Sequence, residues 1–115
     1  MITMKPILEQ DVLALLADGR FSPLPEGYIM TDGGRYLGYS LFRVENGVTT
    51  VLDAQAEDNM MLDGLVRAAV AKGESAGAAA FCINREIPAL RSWAEVFVPG
   101  EGEPINNTKI FGNCG

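Results

Sequence analysis

The dipeptide Asn46-Gly47 lies between RYLGYSLFRVE (35–45) and VTTVLDAQ (48–55), two stretches rich in β-branched and aromatic residues. No other feature restricts the fold as strongly. Asn and Gly both tolerate positive φ, so the pair suits a two-residue type I′ turn, whose twist matches that of the flanking strands. An antiparallel hairpin is predicted. Upstream, YIMT (28–31) is separated from the next strand by DGG (32–34), a second tight-turn signal, so residues 28–55 are expected to form three consecutive antiparallel strands. Along the middle strand, Tyr36, Phe42 and Val44 fall on one pleat face and Leu37, Tyr39 and Leu41 on the other. Cover on both faces, and hence a central position in the sheet, is expected.

The remaining elements follow from periodicity and punctuation. ITMKPI (2–7) reads as a short strand, followed by a helix carrying Leu8, Val12, Leu15 and Leu16 and ending near Gly19. FSPLPEG (21–27) is a connecting loop, because Pro23 and Pro25 deny both helix continuation and ladder donors. The main helix is predicted from Asn59 to Ala76. Its apolar stripe is Leu62, Leu65, Val66, Ala69, Val70 and Gly73, with Asp58 or Asn59 as N-cap and Gly77 as a left-handed stop. AAAFCIN (78–84) reads as a short buried strand. IPALRSWAEVF (87–97) reads as a helix, since Pro88 suits a first turn and Leu90, Trp93 and Phe97 share a face. TKIF (108–111) is expected to be an edge strand. With 115 residues and 48% hydrophobic content, the chain can supply one core, and a single domain over 1–115 is expected.

Charge and residue inventory narrow the function. Nine Lys plus Arg against fifteen Asp plus Glu give a net charge of −6, which disfavours nucleic acid as a partner because phosphate neutralisation needs a clustered basic surface. No apolar run approaches the ~20 residues of a membrane span, and MITMKPILEQD lacks a signal-peptide core. A cytoplasmic, non-membrane protein is expected. Cys82 and Cys114 have no metal-ligand spacing and there is no histidine, so no metal site and no His-dependent triad is expected. Asp53, inside an apolar strand, is a candidate general base, against the simpler reading of a solvated carboxylate at the sheet's end. Met60 and Met61 suit either a pocket wall or the core. Cys82 reads as a small buried hydrophobe, because a nucleophilic role would need an activating base. Asn84 either ends its strand or hydrogen-bonds a ligand amide.

Taken together, YLGYSLFRVENGVTTVLDAQAED, DGLVRAAVAKGESAG and FCINREIPALRSWAEVFV, spanning roughly residues 28–98, resemble the GNAT N-acetyltransferase superfamily. The resemblance implies an α+β fold: a mixed sheet with an antiparallel N-terminal meander, a main helix after the fourth strand, then a parallel strand and a short helix. It implies acetyl-CoA as cofactor. Leu52, Asp53 and Ala54 would present backbone to the pantetheine arm, Asn84 would hydrogen-bond a pantetheine amide, and residues 57–62, including Asn59, Met60, Met61 and Leu62, would form the pyrophosphate loop at the helix N-terminus. The family's loop carries Arg or Gln, then Gly, then Gly or Ala, where this chain has Glu57, Met60 and Leu62. Glycine lets backbone N–H groups approach a phosphate, and Glu57 adds negative charge. Trp93 is the nearest equivalent of the Tyr that often serves the family as general acid, and an indole N–H does not titrate usefully. Two readings result: a GNAT-derived binding or regulatory module with little or no catalysis, or a small acetyl-CoA-dependent N-acetyltransferase acting on an amine. A third is an unrelated α+β fold with a ligand pocket under the helix. A homodimer is expected, because the C-terminal segment offers no convincing pair of closing strands; Thr108–Phe111, or Trp93 and Phe97, would supply the contact.

Overall fold

The computed structural model describes residues 1–112. Cys114 lies outside them. Asn46 and Gly47 both take positive φ, 54° and 76°, and join β3 (Arg35–Glu45) to β4 (Val48–Ala56) as an antiparallel pair. With β2 (Glu26–Asp32) these form the expected meander, and β3 is its middle strand. β1 (Ile2–Pro6) pairs antiparallel with β2, and α1 (Gln10–Ala17) follows, closed by Asp18 in the left-handed region. After β4 come α2 (Asn59–Ser75), β5 (Ala80–Ile83), α3 (Pro88–Phe97), β6 (Ile105–Asn106) and α4 (Thr108–Phe111). The sheet has six strands in the order β1-β2-β3-β4-β5-β6, with β4 and β5 parallel and every other neighbouring pair antiparallel.

The six residues of the predicted α2 stripe are the six that α2 buries. Leu62, Val66, Ala69 and Val70 pack with Phe42, Val51, Ala54, Phe81 and Ile83 of the sheet and with Leu90 and Trp93 of α3, while Leu65 packs with Met30 and Leu37. A smaller cluster on the opposite sheet face joins α1 (Leu13, Ala17) to Ile7, Tyr39 and Leu41. Both faces of β3 are therefore covered. Two β-bulges alter which face each side chain meets. An irregularity opposite Met30 and Thr31 turns Leu37 to the α2 side, where it packs with Met30 and Leu65 rather than with Tyr39 and Leu41. Strict alternation had placed all three together, and an inserted residue inverts the pattern on one side of it. The second bulge lies at Leu52, since Leu41 pairs with Asp53 but Phe42 pairs with Val51.

TKIF is helical, not an edge strand; the edge is formed by Ile105–Asn106. The Asn106 side chain accepts bonds from both the backbone N–H and the hydroxyl of Thr108, each at 2.9 Å, and this local turn chemistry overrides the strand propensity of the segment. The N–H of Ile83, beyond the reach of β6, is met by Glu103 Oε2 at 3.3 Å. At the other edge, Ile7 N–H donates to Gly27 C=O in continuation of the β1–β2 register. Lys5 and Thr3 therefore face β2, whereas Pro6, Met4 and Ile2 turn their backbone groups outward. Proline thus occupies a position where no ladder donor is required.

Candidate ligand site

The bulge at Leu52 sets the local geometry. Before it, Thr49 and Val51 face α2; after it, Ala54 and Ala56 do, so Asp53 is turned to the α1 face instead. There Asp53 is 1% exposed, and its Oδ2 accepts bonds from Arg20 at 2.5 Å and from the Tyr39 hydroxyl at 2.6 Å. Oδ1 is buried without a partner among the described residues. Arg20, on the loop after α1, also donates to the carbonyls of Leu16 and Ala17. Asp53 is thus not the solvated carboxylate of the simpler reading: it is buried and paired with Arg20 and Tyr39. Arg20 was missed in the sequence because 33 residues separate it from Asp53 and a lone Arg after a helix carries no signal.

Burial, and then the Asp53 carboxylate, push the Tyr39 hydroxyl well above its ordinary pKa. Its phenol keeps its proton in the fold at pH values where the unfolded chain, at the ordinary ~10, loses it. The unfolded state then binds fewer protons, so this group makes stability fall as pH rises beyond about 10. Urea midpoints measured from pH 8 to 11 should drop across that window, and Tyr39→Phe should flatten the drop.

β4 and β5 pair only from Val48–Ala80 to Val51–Ile83. Beyond that point β4 runs on to Ala56 against β3 alone, while the chain after β5 turns away toward α3. β5 thus ends at Ile83 with all four residues paired, and beyond it β4 and the chain that follows β5 part. The point of parting is closed by Asn84, whose backbone N–H donates to Val51 C=O and whose Nδ2 donates to Leu52 C=O, both at 2.9 Å. Its Oδ1 accepts the Glu86 N–H at 3.1 Å. Asn84 ends the strand and also occupies the backbone acceptor of Leu52. Ala54 turns its methyl into the core.

At the N-terminus of α2, Asp58 is the cap, and its Oδ1 accepts the Met61 N–H at 2.8 Å. Glu57 is paired with Arg35 at 2.8 Å, so its charge is locally balanced. Leu62 is buried in the core and Met61 packs beside Met30, Leu37 and Leu65, whereas Met60 is 84% exposed. Of the two methionines, one fills the core and one stands at a wall. That wall belongs to a cleft of about 410 Å³ between the start of α2 and α3, lined by Asn59, Met60, Leu62 and Asp63 on one side and by Ser92, Trp93, Val96 and Phe97 on the other. Trp93, 3% exposed, forms the floor; its Nε1–H donates to Asp63 at 2.9 Å and its ring stacks on Phe97 at 5.5 Å. Cys82 is elsewhere, on β5, and burial followed by the nearby Glu103 raises its thiol pKa, so little thiolate is present for nucleophilic chemistry.

Similarity in three dimensions to solved structures extends over most of this frame. A Bacillus subtilis acetyltransferase crystallised with CoA superposes with a TM-score of 0.59 at 17% identity, covering 83% of this chain and 74% of that one. The chain has the GNAT acetyltransferase fold. An IAA acetyltransferase from Bacillus cereus matches with a TM-score of 0.57 at 15% identity over 72% of this chain and 65% of that one. A mutant of the Thermus thermophilus protein TTHA1254 matches at 0.58 and 20% identity over 87% and 88%. No family model matches the chain, and no curated protein matches it in sequence. The antiparallel meander, the helix that follows β4, the parallel β4–β5 pair and the short helix after β5 are all present. No described helix is long and apolar enough to cross a membrane, and the described residues contain no cluster of three metal-ligating side chains.

Against the GNAT cofactor, the residues fit in part. The end of the β4–β5 pairing and the helix N-terminus are where pantetheine and pyrophosphate would lie, but Leu52 C=O and the Met61 N–H are already hydrogen-bonded to Asn84 and Asp58. No glycine opens the turn at 57–62. The cleft that Asn59, Met60 and Leu62 of this loop line is apolar, not cationic.

Proposed function

We propose that this chain is a GNAT-derived binding module, with little or no acyl-transfer activity, that uses its α2–α3 cleft for a small molecule. The observation that carries this reading is the Asp58 carboxylate on the Met61 N–H. A cap of this kind stabilises a helix by about 0.5–2 kcal/mol, so a diphosphate must displace a negatively charged group already in place. Asn84 does the same for the pantetheine acceptor. The reading is also supported by Asp53, whose ion pair and buried position leave it unable to reach an amine without breaking the Arg20 and Tyr39 contacts.

The second reading, a small acetyl-CoA-dependent N-acetyltransferase, is favoured by the GNAT-like order of elements, with β4 and β5 parallel and α2 between them in the chain. In it Asp53 would accept the proton the amine loses as its nitrogen is acylated, and that proton would pass on to the departing CoA thiolate. Thiol release from acetyl-CoA in the presence of primary amines separates the two. The module should show the uncatalysed rate; a rate well above it, abolished by Asp53→Asn, would overturn the proposal.

The same reading includes a homodimer in the cytoplasm. The C-terminal edge is shielded within the chain by Glu103, and Trp93 is buried, so the open edge is β1. Outward-facing Met4 can pair with Met4 of a second copy across a two-fold axis, with Ile2 opposite Pro6. Sedimentation equilibrium should give a dimer at high micromolar concentration, and Met4→Pro, which removes the central donor, should give a monomer. A wild-type monomer at that concentration removes the dimer from the account.

A further inference from the structure

We infer that the α2–α3 cleft binds an uncharged aliphatic chain bearing a hydroxyl or carbonyl head, an inference that rests on the binding-module reading and names its ligand class. The walls are Met60, Leu62, Val96 and Phe97 over a Trp93 floor, and the volume of about 410 Å³ lies within the ~300–1,000 Å³ usual for small-ligand sites. Met60 and Val96, 84% and 69% exposed, stand as the two lips. A flexible thioether at one lip adapts to chains of different shape.

Charge decides the class. Among the described residues Asp63 is the only acidic group lining the cleft, and its carboxylate is held by Trp93 Nε1–H and by Arg67, each at 2.9 Å. Arg67 in turn donates to the Ile110 carbonyl and lies over the Phe97 ring, 5.6 Å from its centroid. Neither charge is left free to pair with a ligand ion. An anion would surrender its hydration beside Asp63 in a chain of net charge −6, and a cation would find the carboxylate already satisfied. The remaining polar groups, the Asn59 amide and the Ser92 hydroxyl, can each donate to and accept from an uncharged head. A protein partner is less well matched, because the cleft is a pocket between two helices and α3 also exposes Arg91 and Glu95.

Trp93 is the only tryptophan, so its emission reports the cleft directly. The test is a fluorescence titration of the whole chain with 1-octanol, with octanoate and with CoA in parallel. Octanol should give a saturable shift with a midpoint below about 1 mM, and octanoate should be weaker by about tenfold or more. Val96→Asp should abolish the saturable response while keeping the urea midpoint of the parent, and Leu15→Asp, on the exposed side of α1, should leave the titration unchanged. An octanol response that is linear, that octanoate equals, or that survives Val96→Asp overturns the inference. Emission that changes with protein concentration in the parent but not in Val96→Asp would mean that a second copy fills the cleft, and would also overturn it. The CoA arm keeps the two readings apart: failure of both octanol and CoA removes the ligand class alone, whereas micromolar CoA binding removes the module reading while saturable octanol binding still supports the cleft.

Discussion

Gly73→Ala should lower the stability of the fold by about 3 kcal/mol or more, the upper end for adding a methyl group to a packed site. A Cβ at Gly73 would lie 1.6 Å from the Thr49 hydroxyl oxygen and 2.9 Å from Thr49 Cβ, so α2 must retreat from β4 or the strand must shift. Either movement opens the largest core cluster, which includes Val66, Ala69 and Val70. With total stabilities of about 5–15 kcal/mol for natural domains, the loss is large. Thr49→Ala in the same chain should recover only part of it, because the alanine Cβ remains at the 2.9 Å position. Thr49→Ala alone should be mild, since its buried hydroxyl has no hydrogen-bond partner among the described residues. Urea denaturation of the two single variants and the double variant measures this coupling; an unperturbed Gly73→Ala midpoint would mean that α2 does not sit against β4 as described.

Arg20→Ala should be the next most damaging change, at about 2 kcal/mol. It leaves the Asp53 carboxylate buried with the Tyr39 hydroxyl as its remaining donor. Removing one partner of a fully buried pair typically costs ~3–5 kcal/mol. The value is smaller here because Arg20 is 40% exposed, so solvent screens the pair and water can replace part of the guanidinium. Asp53→Asn in the Arg20→Ala background should restore much of the loss, because an amide needs no counter-charge. If the double variant is no more stable than Arg20→Ala, the buried charge is not the source of the penalty.

The meander, α2 and its buried face were legible in the sequence because each rests on a local signal: Asn46-Gly47 for the hairpin, a 3.6-residue stripe for the helix, Pro88 for the start of α3. Both bulges were not. Alternation is read residue by residue, and one unpaired residue at Leu52 or near Leu37 inverts it without leaving a mark in composition. That inversion decides the candidate site, since it carries Asp53 away from α2 and into contact with Arg20 and Tyr39. The second partnership missed was Asn84 with Leu52, joined across 32 residues. TKIF was misread because β propensity is weak in a four-residue piece, and the Asn106 side chain fixes the turn that precedes it. The loop at 57–62 was read correctly as lacking glycine, yet the balancing of Glu57 by Arg35 depended on the tight turn that begins β3.

The claim that the chain keeps the GNAT frame without its cofactor grip is tested most directly by calorimetric titration with acetyl-CoA. With the Met61 N–H held by Asp58 and the Leu52 carbonyl held by Asn84, the account predicts a dissociation constant weaker than about 1 mM, or less than about 4.1 kcal/mol of binding. Saturable one-to-one binding at micromolar acetyl-CoA would contradict it, and would make the acetyltransferase reading the leading one.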